Sequence, residues 1–191
     1  MEHIQATRLA SPETSRYAGN MTLAVLMAAT KELATAPQWS EPEPETDYLW
    51  FDVPIIVGGI VESGIVFHGG CYRQHVDHHV TFELRAINGR KKTPLQRIDW
   101  RSLNGGHSNK VREGSEVSGK RVDASHMHAF TLNYSQAEDR MRGSNLPMAD
   151  DLAQEIQSFE SLREFVGQAF AISNIHIVST PPWAYNLFGN G

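Results

Sequence analysis

From Tyr48 onward, apolar and polar positions alternate with a period of two. Val76, His78, Val80, Phe82 and Leu84 fall on one parity, and His75, Asp77, His79, Thr81 and Glu83 on the other. That is the period of a strand with one face toward an apolar core. The stretches "YLWFDVPIIV" (48–57) and "GIVFHGGCYR" (64–73) have the aromatic and β-branched composition of strands. Pro54 marks an edge or a break in the first, because it has no N–H to give to a ladder. "LQRIDW" (95–100) predicts another strand, reached through the turn "NGRKKT" with Asn88-Gly89 at its tip. "HMHAFTLNY" (126–134) reads as one more.

The period becomes helical twice. Asn20 is placed to cap a helix over 21–35, with Leu23, Leu26, Met27 and Leu33 as its apolar stripe. Over 148–170, Leu152, Ile156, Phe159, Leu162, Phe165, Val166 and Phe170 recur at helical spacing, and Asp150 and Asp151 suit the N-terminal dipole. "ISNIHIVS" (172–179) suggests a last strand. Between 37 and 47 three prolines and four acids favour an extended connector. The strands follow one another through turns and loops rather than helices, which argues against a doubly wound parallel sheet. The expected fold is α+β: a mainly antiparallel twisted sheet with a C-terminal helix packed on one face and an N-terminal helical arm. Residues 1–47 form the arm and its acidic Pro-rich linker, and residues 48–191 a single α+β domain.

Composition changes this picture little. The chain has 191 residues, with 40% hydrophobic and 20% charged, the balance of a globular protein. Cys71 is the only cysteine, so no internal disulfide and no cysteine-based zinc site can form. The apolar run at 21–30 is too short to span a bilayer. A cytoplasmic protein without membrane association is the expectation. Charge is more telling in its distribution than in its total of −5. Residues 85–121 hold ten basic and three acidic side chains, a net +7, which leaves −12 for the remainder. A basic centre in an acidic chain suggests a local anionic partner such as phosphate or RNA. A protein partner, or a second copy of the chain, could dock through the N-terminal arm.

The chemistry concentrates in the same region. Arg97-x-Asp99 lies on a strand, His107-x-Asn109 in a Gly-rich loop, and His126-x-His128 on a strand. Alternation places His126 and His128 with Phe130 and Leu132, toward the core. It places Ile98 and Trp100 on the core side as well, so Arg97 and Asp99 should face away. The six residues can line one site only through a bulge, a register change or a sheet covered on both faces.

The series "QRIDW…GGHSN…HMHAF" resembles the core of an uncharacterised bacterial domain-of-unknown-function family, over residues 95–134. The resemblance implies that Arg97, Asp99, His107, Asn109, His126 and His128 form the site, and implies no particular reaction.

Three readings compete. In the first, two histidines act as base and acid in metal-free cleavage of a phosphodiester, with Arg97, Lys110 or Arg112 holding the phosphate and Asp99 or Asn109 orienting an imidazole. It requires no cofactor. In the second, His107, His126 and His128 bind a divalent metal, with Asp99 as an oxygen donor or as a partner that orients the ligands, and His75 and His79 are a weaker second set. In the third the histidines are structural, and the protein is a binding or interaction module. Whether the chain is an enzyme is left open. It has no G-x-S-x-G elbow, no P-loop, no dinucleotide fingerprint and no His-Glu-x-x-His. Cys71 follows two glycines, with no electropositive motif in the sequence to activate it.

Overall fold

The structure is a computed structural model and describes residues 21–185. The first twenty residues of the expected arm lie outside the described residues. The elements are α1 (Leu23–Ala28), β1 (Lys31–Leu33), β2 (Tyr48–Val57), β3 (Ile60–Tyr72), β4 (Val80–Asn88), β5 (Lys91–Trp100), β6 (His107–Ser108) and β7 (Arg121–Val122). They continue with β8 (His126–His128), α2 (Phe130–Asn133), β9 (Tyr134–Ser135), β10 (Arg140–Met141), β11 (Asp150–Asp151), α3 (Phe159–Phe170) and a 3₁₀ turn, Ile175–Ile177. Seven strands form one sheet in the order β1-β2-β3-β4-β5-β8-β11, each pair antiparallel. The fold is α+β, as the pattern predicts.

One face of the sheet carries the core. Leu49, Phe51 and Val53 of β2, Phe67 of β3, Phe82 and Leu84 of β4 and Ile98 and Trp100 of β5 are buried there with Phe159, Leu162, Val166 and Phe170 of α3. Gly69 makes this packing feasible: a Cβ there would stand 2.4 Å from the Phe51 ring. The β2–β3 turn is Gly58-Gly59, with φ of 57° and 80°, the backbone that a two-residue hairpin of this twist needs. The ladder of β2 shifts register after Pro54, where the sequence marks a break.

Several elements differ from the sequence expectation. Helix α1 is capped by Thr22 rather than Asn20 and stops at Ala28. Beyond it Lys31–Leu33 pairs with Val57, Ile56 and Ile55 as an edge strand. The Lys31 ammonium folds back onto the carbonyls of Met27 and Ala29 at 2.8 and 2.7 Å, taking acceptors that a longer helix would use. Helix α3 begins at Phe159 behind the Ser158 cap, not at 148. Asp150 and Asp151 instead pair with β8, and Glu160 occupies the first helical turn. The last expected strand is the 3₁₀ turn, and Ile172 makes only an isolated parallel bridge to Lys31. The segment 75–79 is a turn rather than the start of β4, with Asp77 and His79 at positive φ of 56° and 53°. Among the described residues, no helix is long and apolar enough to cross a membrane.

Candidate functional site

Register resolves the conflict between the two sheet faces. Strand β8 pairs with β5 as Arg97↔His128, Ile98↔Met127 and Asp99↔His126. Direct antiparallel partners project to the same side. Because Ile98 is in the core, His126 and His128 share the opposite face with Arg97 and Asp99. The sequence expectation of core-facing histidines is therefore corrected. It extended one strand through Tyr134, but β8 ends at His128 and α2 resets the phase, which returns Phe130 to the core.

The second face is covered at this end of the sheet, and its cover is built by two asparagines. Asn109 donates to the carbonyls of Val117 and Ala149 and accepts from Ala149 N. Asn133 donates to the carbonyls of Ala129 and Met148 and accepts from Met148 N. Together they fix the backbone of 147–149. That backbone in turn fixes the histidines: His107 Nε2 donates to Pro147 O at 3.0 Å and His128 Nδ1 to Met148 O at 3.2 Å. His126 Nδ1 donates to Asp123 O at 2.7 Å. His107 and His128 thus each have one protonated nitrogen assigned by a carbonyl and the other free to accept, whereas His126 turns its second nitrogen to the Asp99 carboxylate.

Those other nitrogens of His126 and His128 meet the charged pair on β5. Arg97 Nε donates to Asp99 Oδ2 at 2.8 Å, and Arg97 Nη2 donates to His128 Nε2 at 2.8 Å. His126 Nε2 lies 3.4 Å from Asp99 Oδ2, and Thr81 donates its hydroxyl to Asp99 Oδ1 at 2.8 Å. His107 closes the group, its ring centroid 4.8 Å from that of His128 and 5.9 Å from that of His126. Burial, and then the Arg97 guanidinium, push His128 down to about 3. Burial acts to raise Asp99, but the His126 hydrogen bond, the Arg97 charge and the Thr81 hydroxyl outweigh it and hold the carboxyl well below the usual range. His126 and His128 are buried, whereas Arg97 and Asp99 keep 20% and 17% of their side-chain surface. The accessible edge of the cluster is therefore charged.

Donor atoms of Asp99, His126 and His128 lie within 4.8 Å of one another, near enough to share a divalent ion. The donor set fits such an ion poorly. The lone pair of His128 Nε2 already accepts from Arg97, and the same guanidinium lies against Asp99 Oδ2, so an ion would have to displace a resident cation. His107 is outside that set.

The remaining sequence candidates are elsewhere. Arg112 donates to Leu132 O at 2.8 Å, holding α2 rather than facing the cluster. Lys110 is exposed on the loop after β6. His79 accepts from Leu103 N and lies tilted against the Tyr72 ring, and His75 packs edge-on against the same ring; they share no polar strand face. Burial lowers the pKa of His79, against the nearby charge of Asp99. Much of the basic block is engaged: Arg85 with Glu83, Lys92 with Asp52, Arg97 with Asp99, and Arg101 with the carbonyls of Asp77, Ile156 and Gln157.

Sequence reasoning missed Thr81, Asn133 and Asn145, the last of which accepts from Arg97 Nη1 at 3.4 Å. It also missed a transverse row. Asp52, His68, Glu83, Arg97 and His128 are successive cross-strand partners on one face of five strands. The parity of each strand carried this signal, but only the register aligns the strands. No family model matches the sequence, and no curated protein or solved structure matches it.

Proposed function

We propose that the cluster binds a phosphate-bearing ligand and cleaves a phosphodiester without a metal, with single-stranded RNA as the substrate class. The observation that carries the reading is the Arg97 guanidinium. Asp99 and His128 hold it rigidly on one side, while the side chain remains partly exposed beside His126. A guanidinium fixed in this way is preorganised for the charge that develops on a phosphorane.

The acid and base are assigned to His126 and His107. His128, pushed down to about 3, stays neutral at physiological pH and serves to position Arg97. His126 is the imidazole beside the Asp99 carboxylate, which with the Asp123 carbonyl fixes the orientation of its ring. In the reaction one histidine takes the proton of the 2′-hydroxyl as its oxygen attacks phosphorus. The other protonates the departing 5′-oxygen, and a 2′,3′-cyclic phosphate remains.

The test is cleavage of end-labelled single-stranded RNA by wild type, His126→Ala and Arg97→Lys, each with and without EDTA. The expected result is cleavage that survives EDTA, is lost in His126→Ala and is reduced in Arg97→Lys, because lysine cannot span Asp99 and His128 together. Cleavage abolished by EDTA would move the reaction to a metal at Asp99, His126 and His128. Absence of cleavage in every sample would remove the catalytic reading.

A further inference from the structure

Strand β8 has a second face. Met127 pairs with Ile98 and so lies on the core side of the sheet, opposite His126 and His128. It is nevertheless partly exposed, because it forms the floor of a cavity of about 650 Å³. That volume is within the range of small-molecule sites. The cavity is open because alanines face it from several elements. Ala24 and Ala28 are one helical turn apart on α1, Ala169 is in the last turn of α3, and Ala129 caps α2. Longer side chains at these places would close it. Phe130 and Tyr134, stacked with their centroids 4.5 Å apart, make one wall.

Two polar groups distinguish this cavity from a packing void. Gln96 shares the parity of Ile98 and Trp100 on β5 and therefore faces the core side. It lines the cavity and is only 6% exposed. Its Nε2 donates to Ala169 O at 2.9 Å, and nothing among the described residues donates to its Oε1. Buried acceptors are ordinarily satisfied, so the wall offers a place for a ligand donor. The second group is Arg142, exposed at the cavity's edge. Its Nε donates to Tyr134 O at 2.9 Å, which fixes the guanidinium. Among the described residues no carboxylate lies within ion-pair distance of it. Glu138 feels its charge from farther away and pairs with Arg140 at 3.1 Å.

We infer that this cavity binds a single-chain amphiphilic carboxylate. The apolar chain lies against Met127 and the alanines, an O–H or N–H on the chain donates to Gln96 Oε1, and the carboxylate sits on the Arg142 guanidinium. A fixed guanidinium presents two N–H groups that match a carboxylate. One cation at the edge balances one negative charge. Apolar walls with a few polar groups placed to orient the occupant are the usual composition of such sites. The site is separate from the histidine cluster and does not depend on the phosphodiester reading.

The experiment uses the full chain labelled with ¹³C in its methionine methyls. Met27 and Met127 line the cavity, whereas Met148 is buried in the cover of the histidine cluster and serves as the internal control. Titration with 3-hydroxydecanoate should shift the Met27 and Met127 methyls saturably and leave Met148 in place. Decanoate, which lacks the chain donor, should bind about twofold to tenfold more weakly, the effect of one neutral hydrogen bond. Arg142→Gln should raise the Kd of both carboxylates about tenfold, the low end for a hydrogen bond to a charged group, and leave decan-1-ol unchanged. Ala28→Leu and Ala169→Leu narrow the cavity from two different helices, and each should weaken binding. No saturable shift at Met27 and Met127 up to about 1 mM ligand overturns the site. Binding unchanged in both leucine variants also overturns it. Decan-1-ol binding as tightly as the carboxylates, with no effect of Arg142→Gln, overturns the carboxylate assignment. Shifts produced by phosphatidylcholine–phosphatidylglycerol vesicles but not by the free carboxylates would make the cavity a membrane contact and overturn the proposal.

Discussion

Arg97 and His128 are direct cross-strand partners, and the Arg97 guanidinium donates to the free nitrogen of His128, Nη2 to Nε2 at 2.8 Å. A cation on that nitrogen excludes a proton from it. The pKa of His128 is therefore about 3 in the folded chain, lowered by burial and then by Arg97, against the ordinary 6.5. Between those two values the unfolded chain binds a proton that the native chain does not. The contribution of His128 to stability is thus fully present above pH 6.5 and is lost as pH falls toward 3, by at most about 1.4 kcal/mol per pH unit. Urea titrations from pH 7 to pH 4 should show a steeper loss in wild type than in His128→Gln. The variant should start lower, by about 1–3 kcal/mol, because the Arg97 and Met148 contacts are weakened. Equal slopes in the two proteins would contradict a neutral, Arg-bound His128.

Asn109 stands in the sequence as a candidate to orient an imidazole, yet every polar atom of its side chain is engaged with Val117 and Ala149. Removing it leaves the Ala149 N–H and two carbonyls without their partner in a buried place. Asn109→Ala should cost about 1–3 kcal/mol in denaturant unfolding and lower activity only through that loss. Asn133→Ala should do the same, because it holds Met148 from the other side. A variant at either position that melts like wild type would show that the backbone at 147–149 is held by something else.

These two asparagines mark where the sequence stops being readable. The strands β2 to β5 are legible because they are long, and their alternation is enforced by one buried face. "HVDHH" alternates equally well but lies in a turn with two positive φ values, since nothing about a period of two requires a partner strand. "HMHAF" misleads for the opposite reason. A three-residue strand is too short to reveal its own end, and continuing it to Phe130 inverted the face of both histidines. Leu152 and Ile156 keep helical spacing in a stretch that pairs with β8 and then runs irregularly, where Trp100 Nε1 donates to Ile156 O. Arg97, Asp99, His126 and His128 were legible as a group because the residue types share a chemistry. Thr81, Asn133 and Asn145 were not, because they join the group through contacts spanning 18, 15 and 48 positions.

Gly69 and Gly70 face opposite sides of β3 and should respond differently to a methyl group. At Gly69 the added Cβ meets the Phe51 ring at 2.4 Å, inside the aromatic core formed with Phe67 and Phe82. Gly69→Ala is expected to cost about 1–3 kcal/mol as overpacking, read from the urea midpoint. At Gly70 the obstacle is the end of one side chain, the Tyr48 hydroxyl. Gly70→Ala paired with Tyr48→Phe should recover part of the loss of Gly70→Ala alone, whereas Tyr48→Phe should do nothing for Gly69→Ala. Additive effects in the first pair would show that the two groups do not compete for the same space.

Lys31 provides a titration far from the cluster. Its side chain is fully buried, its ammonium bonds, among the described residues, to the carbonyls of Met27 and Ala29, and burial lowers its pKa to about 8 from 10.5. Below pH 8 both states of the chain are protonated at this site, and the folded state bears the cost of an enclosed charge. Between pH 8 and 10.5 the native lysine releases its proton while the unfolded one retains it, so this group makes folding more favourable as pH rises. The limiting slope is about 1.4 kcal/mol per pH unit. Lys31→Met removes the titration and also leaves the two carbonyls without a donor. The measurement is the difference in unfolding free energy between wild type and Lys31→Met from pH 7 to pH 10. It should widen in favour of wild type above pH 8. A difference that stays flat across that range would mean that the ammonium is hydrated in the folded chain and is not enclosed beneath α1.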